Sequence, residues 1–258
     1  MKSHIEKSKE LYSKLAGNKT NKALIAGRYS FDEGKEQLIA NDIISKLDLK
    51  KDITFFDIGC GGGIVTESLI KYLSELNAII TLMDISEVID ILNEDFISKS
   101  SLDVSHIQLM KGYFPSDYKI EHQRFDRILL YSVLHCTDNP FEVINEAVSL
   151  LNPYGKILLG DIPNINQKGR FLSSARGKIF EAEYKKTNVE NIPVYKDHHD
   201  FADKMRADQN YYSLIDDELI YKIHRTYTQK GYDVFIIQQP EGLPFCKTRH
   251  DILICKHD

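Results

Sequence analysis

Residues 55–68 read FFDIGCGGGIVTES, with glycines at positions 59, 61, 62 and 63 directly after a short apolar run that contains Asp57. A turn needs one or two glycines for positive φ; a loop stripped of side chains to this degree lets its backbone lie against a bound molecule. The spacing discriminates among ligands. A dinucleotide fingerprint requires G-x-G-x-x-G, but the sixth position is Ile64 counted from Gly59 and Thr66 counted from Gly61. A phosphate-cradling P-loop requires Lys followed by Ser or Thr, and neither pair follows these glycines. What remains is D-x-G-x-G-x-G at Asp57, Gly59, Gly61 and Gly63, with Asp84 standing 21 residues beyond Gly63. A carboxylate there can accept two hydrogen bonds from a vicinal diol.

Other residues could move or orient a proton. His135 follows the apolar run in FDRILLYSVLH, and an unperturbed histidine titrates near neutrality, which makes it a candidate general base. Asp161, after GKILLG, is a second candidate for orienting or deprotonating an acceptor. In KDHHD (196–200), His198 and His199 look at first like metal ligands, but the i, i+4 spacing is absent and adjacent side chains diverge. No metal is expected, and a solvated loop is the better reading; one of the pair reaches the site only if the segment closes over it. Arg170, Arg176, Lys178, Lys185 and Lys186, interleaved with Phe171, Phe180 and Tyr184, suit an anionic substrate, unless they form a solvated helix face.

The elements that must position these groups alternate. Strands are expected at 53–57, 78–84, 106–112, 125–132 and 155–161, with apolar positions at helical spacing between them. Ile64, Leu69, Leu73 and Leu76 suit one helix face, Ser86 is placed to cap the next helix, and Pro140 opens another that ends before Asn152-Pro153. Such alternation implies an α/β fold whose mostly parallel sheet carries helices on both faces. Residues 163–212 are too long and polar for an ordinary connection and read as a helical insertion or lid. A helix over 216–230, stopped by Gly231, leads to two closing strands joined by EGLPFCKT, an antiparallel finish.

The 258 residues carry 42% hydrophobic content, enough for a substantial core, and a formal net charge of −5 that makes nucleic acid a poor first guess for the partner. Four cysteines without CxxC spacing suggest reduced, mostly buried thiols. The charged N-terminal stretch lacks a signal-peptide core and no later run is long enough to span a bilayer, so the expected location is the cytoplasm.

The loop, Asp84 and the following strands together resemble the class I S-adenosylmethionine-dependent methyltransferases, over about residues 29–161. The resemblance implies a Rossmann-like, doubly wound, seven-stranded sheet with an antiparallel C-terminal strand and a helical insertion after strand five. It implies S-adenosylmethionine as cofactor, held by Asp57, Gly59, Cys60, Gly61 and Gly63, by Asp84 and Ile85, and by Gly112 and Tyr113. Tyr131 and Ser132 would border the sulfonium, and Tyr29, in an N-terminal helical segment within 1–50, would cover the cofactor. Tyr113 stands where the family often has an acid. The stretches ILLGDIPNINQKGRFLSSARGK and LPFCKTRHDILICK are similar to bacterial methyltransferases encoded with surface-polysaccharide genes. That similarity implies O-methylation of a sugar or nucleotide-linked precursor (an activated sugar or phosphoramidate), and the insertion's own residues make Arg170, Arg176, His198 and His199 the candidate substrate contacts. The alternatives are a small-metabolite methyltransferase acting on a quinone, lipid precursor or amine, and a non-catalytic cofactor-binding protein. An aminopropyl transfer is disfavoured, since no acidic cluster follows the fourth strand.

Overall fold

The computed structural model describes residue 10 and residues 34–120, 122–207 and 215–258. Its strands are β1 (Thr54–Ile58), β2 (Ile79–Asp84), β3 (Ile107–Lys111), β4 (Phe125–Tyr131), β5 (Leu151–Pro163), β6 (Asp233–Gln238) and β7 (Arg249–Cys255). They form one sheet in the order β3-β2-β1-β4-β5-β7-β6. The pairs from β3 to β5 are parallel, and β7 runs antiparallel to both β5 and β6. The last strand therefore inserts inside the sheet between β5 and β6, more than a hairpin added at the edge.

Both faces of the sheet are covered, which is why the strands read as continuous apolar runs. Successive residues point to opposite faces. Phe55, Leu129 and Leu158 pack into one cluster, and Phe56, Ile128, Leu130, Ile157 and Leu159 into the other. The first face is covered by α1 (Glu36–Leu47) and α2 (Ile64–Glu75), through Ile39, Ile43, Leu47, Leu69 and Leu73; α3 (Ser86–Asp95) adds Ile89 and Leu92. The second is covered by α4 (Pro140–Ser149), through Val143, Ile144 and Ala147, and by a later helix.

Between β5 and that helix lie α5 (Ile165–Leu172), α6 (Ala175–Lys185) and α7 (His198–Ala207), whose own small core joins Ile165, Leu172, Phe201 and Ala202. Asn164 and Ser174 cap the first two by accepting backbone amides. The helix α8 (Asp217–Gln229) follows, capped by Asp216 and ended at Gly231 with φ 88°; its Ile220, Ile223 and Tyr227 complete the second core cluster.

Two local expectations are corrected. Ser86 is the first helical residue of α3, because the Asp84 carboxylate already takes the Ile85 amide and turns strand directly into helix. β5 begins at Leu151, which pairs with Phe125, so Asn152 and Pro153 lie in the strand across a register shift. Among the described residues no helix is long and apolar enough to cross a membrane.

Candidate active site

A parallel sheet binds ligands beyond the carboxyl ends of its strands, where the chain reverses direction across the sheet. Here that point lies between β1 and β4, and the strand ends open into a cavity of about 420 Å³. The first loop lines it with Asp57, Gly59, Cys60, Gly61 and Gly63. The end of β2 adds Asp84 and Ile85, the end of β3 adds Gly112 and Tyr113, and the end of β4 adds Tyr131, Ser132 and His135. Asp161 lines it from β5. Tyr29 lies outside the described residues.

The glycines have separate physical reasons. Gly59 and Gly61 adopt left-handed φ values of 71° and 69°. A Cβ on Gly59 would lie 2.5 Å from Val133 Cγ2, whereas one on Gly61 would meet nothing within 4 Å. Gly59 thus lets β1 and the β4 loop pack, while Gly61 leaves its surroundings open. Asp84 ties the loop down, its Oδ2 accepting the Gly61 amide at 2.8 Å and its Oδ1 the Ile85 amide at 2.7 Å. Burial raises its pKa to about 6 against those two hydrogen bonds, which lower it.

Asp57 is 2% exposed and its Oδ1 has no hydrogen-bond partner among the described residues. Burial, reinforced by the Asp84 charge, holds its carboxyl well above the usual range. A buried oxygen left unpaired is costly, so it marks where a ligand or water can donate. Burial also pushes the Cys60 thiol well up, which removes it as a nucleophile.

The end of β3 is held by an acid that the sequence reading did not single out. Asp117 Oδ2 accepts the Tyr113 amide at 2.8 Å, and Gly112, at φ 137°, has no room for a side chain beside it. Phe114 lines the cavity while packing edge-on against Phe56, ring centroids 5.9 Å apart.

Past β4 the backbone turns at Ser132, φ 60°, whose amide donates to the Gly160 carbonyl at 2.9 Å. The Tyr131 ring lies across Gly160, where a Cβ would come within 2.4 Å of it. His135 sits in the short turn Leu134–Cys136, its Nδ1 buried without a partner among the described residues. Burial, and then the Arg249 charge, push its pKa down to about 3. The expectation of titration near neutrality is therefore corrected: His135 is a neutral imidazole at physiological pH.

Asp161 stands at a β-bulge, where the register against β7 shifts between Leu159 and Ile162, and its φ is 54°. Bulges re-aim side chains. Asp251, 0% exposed, holds this one by accepting the Asp161 amide at 2.7 Å. The same carboxylate accepts Lys46 Nζ at 2.6 Å and Gln239 Nε2 at 3.1 Å. Arg249, a lining residue missed in the sequence, donates from Nη1 to the Asp161 carbonyl at 3.0 Å.

The insertion residues expected to bind substrate lie elsewhere. Arg170 is forked onto Asp217 at 2.6 and 3.1 Å, Arg176 is exposed, and neither lines the cavity. His198 and His199 open α7, outside the lining, with ring centroids 4.0 Å apart, so they approach each other where divergence was expected. Asp197 Oδ1 shapes that first turn by accepting the amides of His199 and Asp200. Among the described residues no group of three or more His, Cys, Asp or Glu could hold a metal ion. The insertion touches the site through a ring pair, Tyr184 on Phe245 at 5.8 Å.

The sheet order and the cavity at its strand ends are those of a Rossmann-like α/β fold, which solved methyltransferase structures share. More particularly, residues 56–157 match the family described as a methyltransferase domain. The chain is 30% identical over 156 residues to the ubiquinone biosynthesis O-methyltransferase of Coxiella burnetii, a match covering 59% of this chain and 57% of that protein. It is 32% identical over 113 residues to ribosomal RNA small subunit methyltransferase A of Borreliella burgdorferi, covering 44% and 35%. The chain thus spans little more than half the length of the first of these relatives. Among solved structures, the plantazolicin methyltransferase BpumL in complex with a triazolic desmethylPZN analog and SAH superposes with a TM-score of 0.59 at 16% identity, over 98% of this chain and 99% of that one. A putative S-adenosyl-L-methionine-dependent methyltransferase from Methanococcus maripaludis gives 0.54 at 18%, over 96% and 94%.

Proposed function

We propose that the protein is an S-adenosylmethionine-dependent methyltransferase acting on a small-molecule acceptor. The observation that carries this reading is the Asp84 carboxylate bonded to the Gly61 amide beside the unpaired, buried Oδ1 of Asp57, at the mouth of an open glycine loop. These groups fit an adenosyl ligand. Asp84 keeps lone pairs for the two hydroxyls of a ribose, and Asp57 can receive a donor from the amino-acid end. When bound, the cofactor supplies a methyl group activated on a sulfonium and leaves as S-adenosylhomocysteine.

The chain's own part is orientation. Tyr131 and Ser132 border the transfer point, and an in-line approach supplies much of the rate. Held by Asp84 and Asp57, the cofactor would supply the methyl and its sulfur leaving group to an acceptor oxygen aligned with them. The hydroxyl proton needs a route away: His135, held neutral, can accept and aim the hydroxyl, and the Asp161 carboxylate can pass the proton to solvent.

For the acceptor, the resemblance to surface-polysaccharide methyltransferases favours a sugar or a nucleotide-linked precursor (activated sugar or phosphoramidate) in capsule biosynthesis, and the O-methyltransferase relative supports oxygen as the nucleophile. The second reading is a small metabolite such as a quinone, favoured by the apolar wall of Val133, Pro244 and Phe245. The insertion over 163–212, of which 208–212 lies outside the described residues, acts as a lid in both readings through its Tyr184–Phe245 contact. The four free cysteines suit the cytoplasm.

The test is calorimetric titration with S-adenosylmethionine, S-adenosylhomocysteine and the nicotinamide dinucleotides, repeated on Asp84→Ala, followed by methyl uptake into candidate acceptors. Tighter binding of a dinucleotide than of the adenosyl ligands overturns the reading. Adenosyl binding without turnover on any acceptor favours a non-catalytic binding protein.

A further inference from the structure

Among the described residues lining the cavity, Arg249 is the one arginine or lysine. It opens β7, and because β7 is inserted beside β5, its side chain comes to the end of the cavity formed by His135 and Asp161, away from the glycine loop after β1. The guanidinium is mostly buried, with 19% of its side chain exposed, and lies 5.2 Å from the centroid of the Phe245 ring. Its Nη1 is engaged by Asp161, through the carbonyl at 3.0 Å and the carboxylate at 3.5 Å. Its Nε and Nη2, the edge that receives an oxyanion side-on, have no hydrogen-bond partner among the described residues.

A guanidinium edge that lines the cavity and is left over by Asp161 can donate to an acidic group entering there. An arginine held over a ring and by a carbonyl is also restrained for two parallel hydrogen bonds to a carboxylate or phosphate. A second cation stands within electrostatic reach: burial first, and then the Arg249 and Lys185 charges, lower the pKa of half-buried Lys168, against Glu181. The unpartnered Nδ1 of His135 lies close by and offers an acceptor to a hydroxyl.

We propose that Arg249 is the anchor for an oxyanion on the methyl acceptor, so that the substrate is a compact hydroxyl compound bearing a carboxylate or phosphate, with the hydroxyl turned to His135. This deepens the methyltransferase reading and rests on it. It moves the anion site from the basic insertion, whose Arg170 is consumed by Asp217, to the last strand.

The experiment first measures S-adenosylhomocysteine binding by calorimetry in wild type, Arg249→Met and Arg249→Lys. Failure of the wild type to bind sinks the methyltransferase reading, before any anion is added. The saturated proteins are then titrated with inorganic phosphate and, separately, acetate, and followed by thermal melting. Matched pairs come next: 4-hydroxybenzoate against phenol, and glucose 6-phosphate against glucose. The expected result is an anion-dependent rise in melting temperature that requires at least tenfold more anion in Arg249→Met, with S-adenosylhomocysteine affinity retained; acetate or phosphate as the stronger ligand assigns carboxylate or phosphate. If Arg249→Met shows no melting transition, Arg249→Lys decides, keeping the charge but losing the fork and needing several-fold more anion. No response to either anion in the wild type, an equal response in the variants, or a tenfold loss of S-adenosylhomocysteine affinity in them would overturn the assignment.

Discussion

Asp84 Oδ2 accepts the backbone amide of Gly61 at 2.8 Å, so the acid that ends the second strand is bonded to the loop that ends the first. The bond links ligand affinity to the ionisation of one buried carboxyl. Burial raises that pKa to about 6, and donors on a ligand favour the ionised form. Affinity for S-adenosylhomocysteine should therefore be full above pH 6 and fall as pH drops through it, by up to about tenfold per unit. Calorimetry across pH 5 to 8 checks this, and Asp84→Asn should be weaker throughout and lack the acid limb.

Asp57 should show the opposite balance between stability and binding. Its carboxyl pKa is raised, so the folded state holds its proton more tightly than the unfolded chain and its contribution to stability falls as pH rises above the usual carboxylate range. Asp57→Asn removes the buried ionisation while keeping shape. The ligand-free variant should melt at or above the wild-type temperature at pH 8, and its S-adenosylhomocysteine affinity should drop about tenfold, about 1.4 kcal/mol. A variant that is both less stable and fully able to bind would contradict the role given to Asp57.

The two left-handed glycines should separate in a pair of alanine substitutions. Gly61→Ala pays for its φ of 69°, on the order of 1 kcal/mol, but its Cβ meets no protein atom within 4 Å. Gly59→Ala adds a 2.5 Å collision with Val133. Urea unfolding should show Gly59→Ala as clearly the more destabilised, whereas ligand affinity should suffer in Gly61→Ala at near-native stability.

Asp251→Ala should cost about 3–5 kcal/mol, because it strips a buried carboxylate from Lys46, Gln239 and the Asp161 amide together. If the folded variant is recovered at low temperature, S-adenosylhomocysteine binding should persist while methyl transfer falls, since the bond that holds the bulge at Asp161 is gone. Equal loss of both would place Asp251 in the general scaffold.

His135→Gln tests what the imidazole does. With its pKa at about 3, His135 stays neutral across the assay range, so an acid limb near pH 6 belongs to the buried carboxyls of the cofactor site and not to His135. The variant should transfer methyl more slowly with a pH profile of unchanged shape. A limb near neutrality that vanishes in His135→Gln would restore the general-base role.

The order of strands and helices was legible in the sequence because it is written locally. The continuous apolar run through Phe55 and Phe56, helical spacing at Leu69 and Leu73, and glycine at Gly59 and Gly61 each follow from the few residues around them. The loop spacing and Asp84 likewise point to the kind of ligand proposed, since contact by bare backbone is a local property. The acceptor side was set by tertiary structure. Arg249 reaches Asp161 across 88 residues only because β7 inserts beside β5, and no spacing announces that. The same burial and the same guanidinium fix the protonation of His135. Arg170 reads as a free cation in the chain and is not one, because its partner Asp217 arrives from a later helix. Charge and titration depend on what long-range folding brings within a few ångströms, and that distance is not written in the sequence.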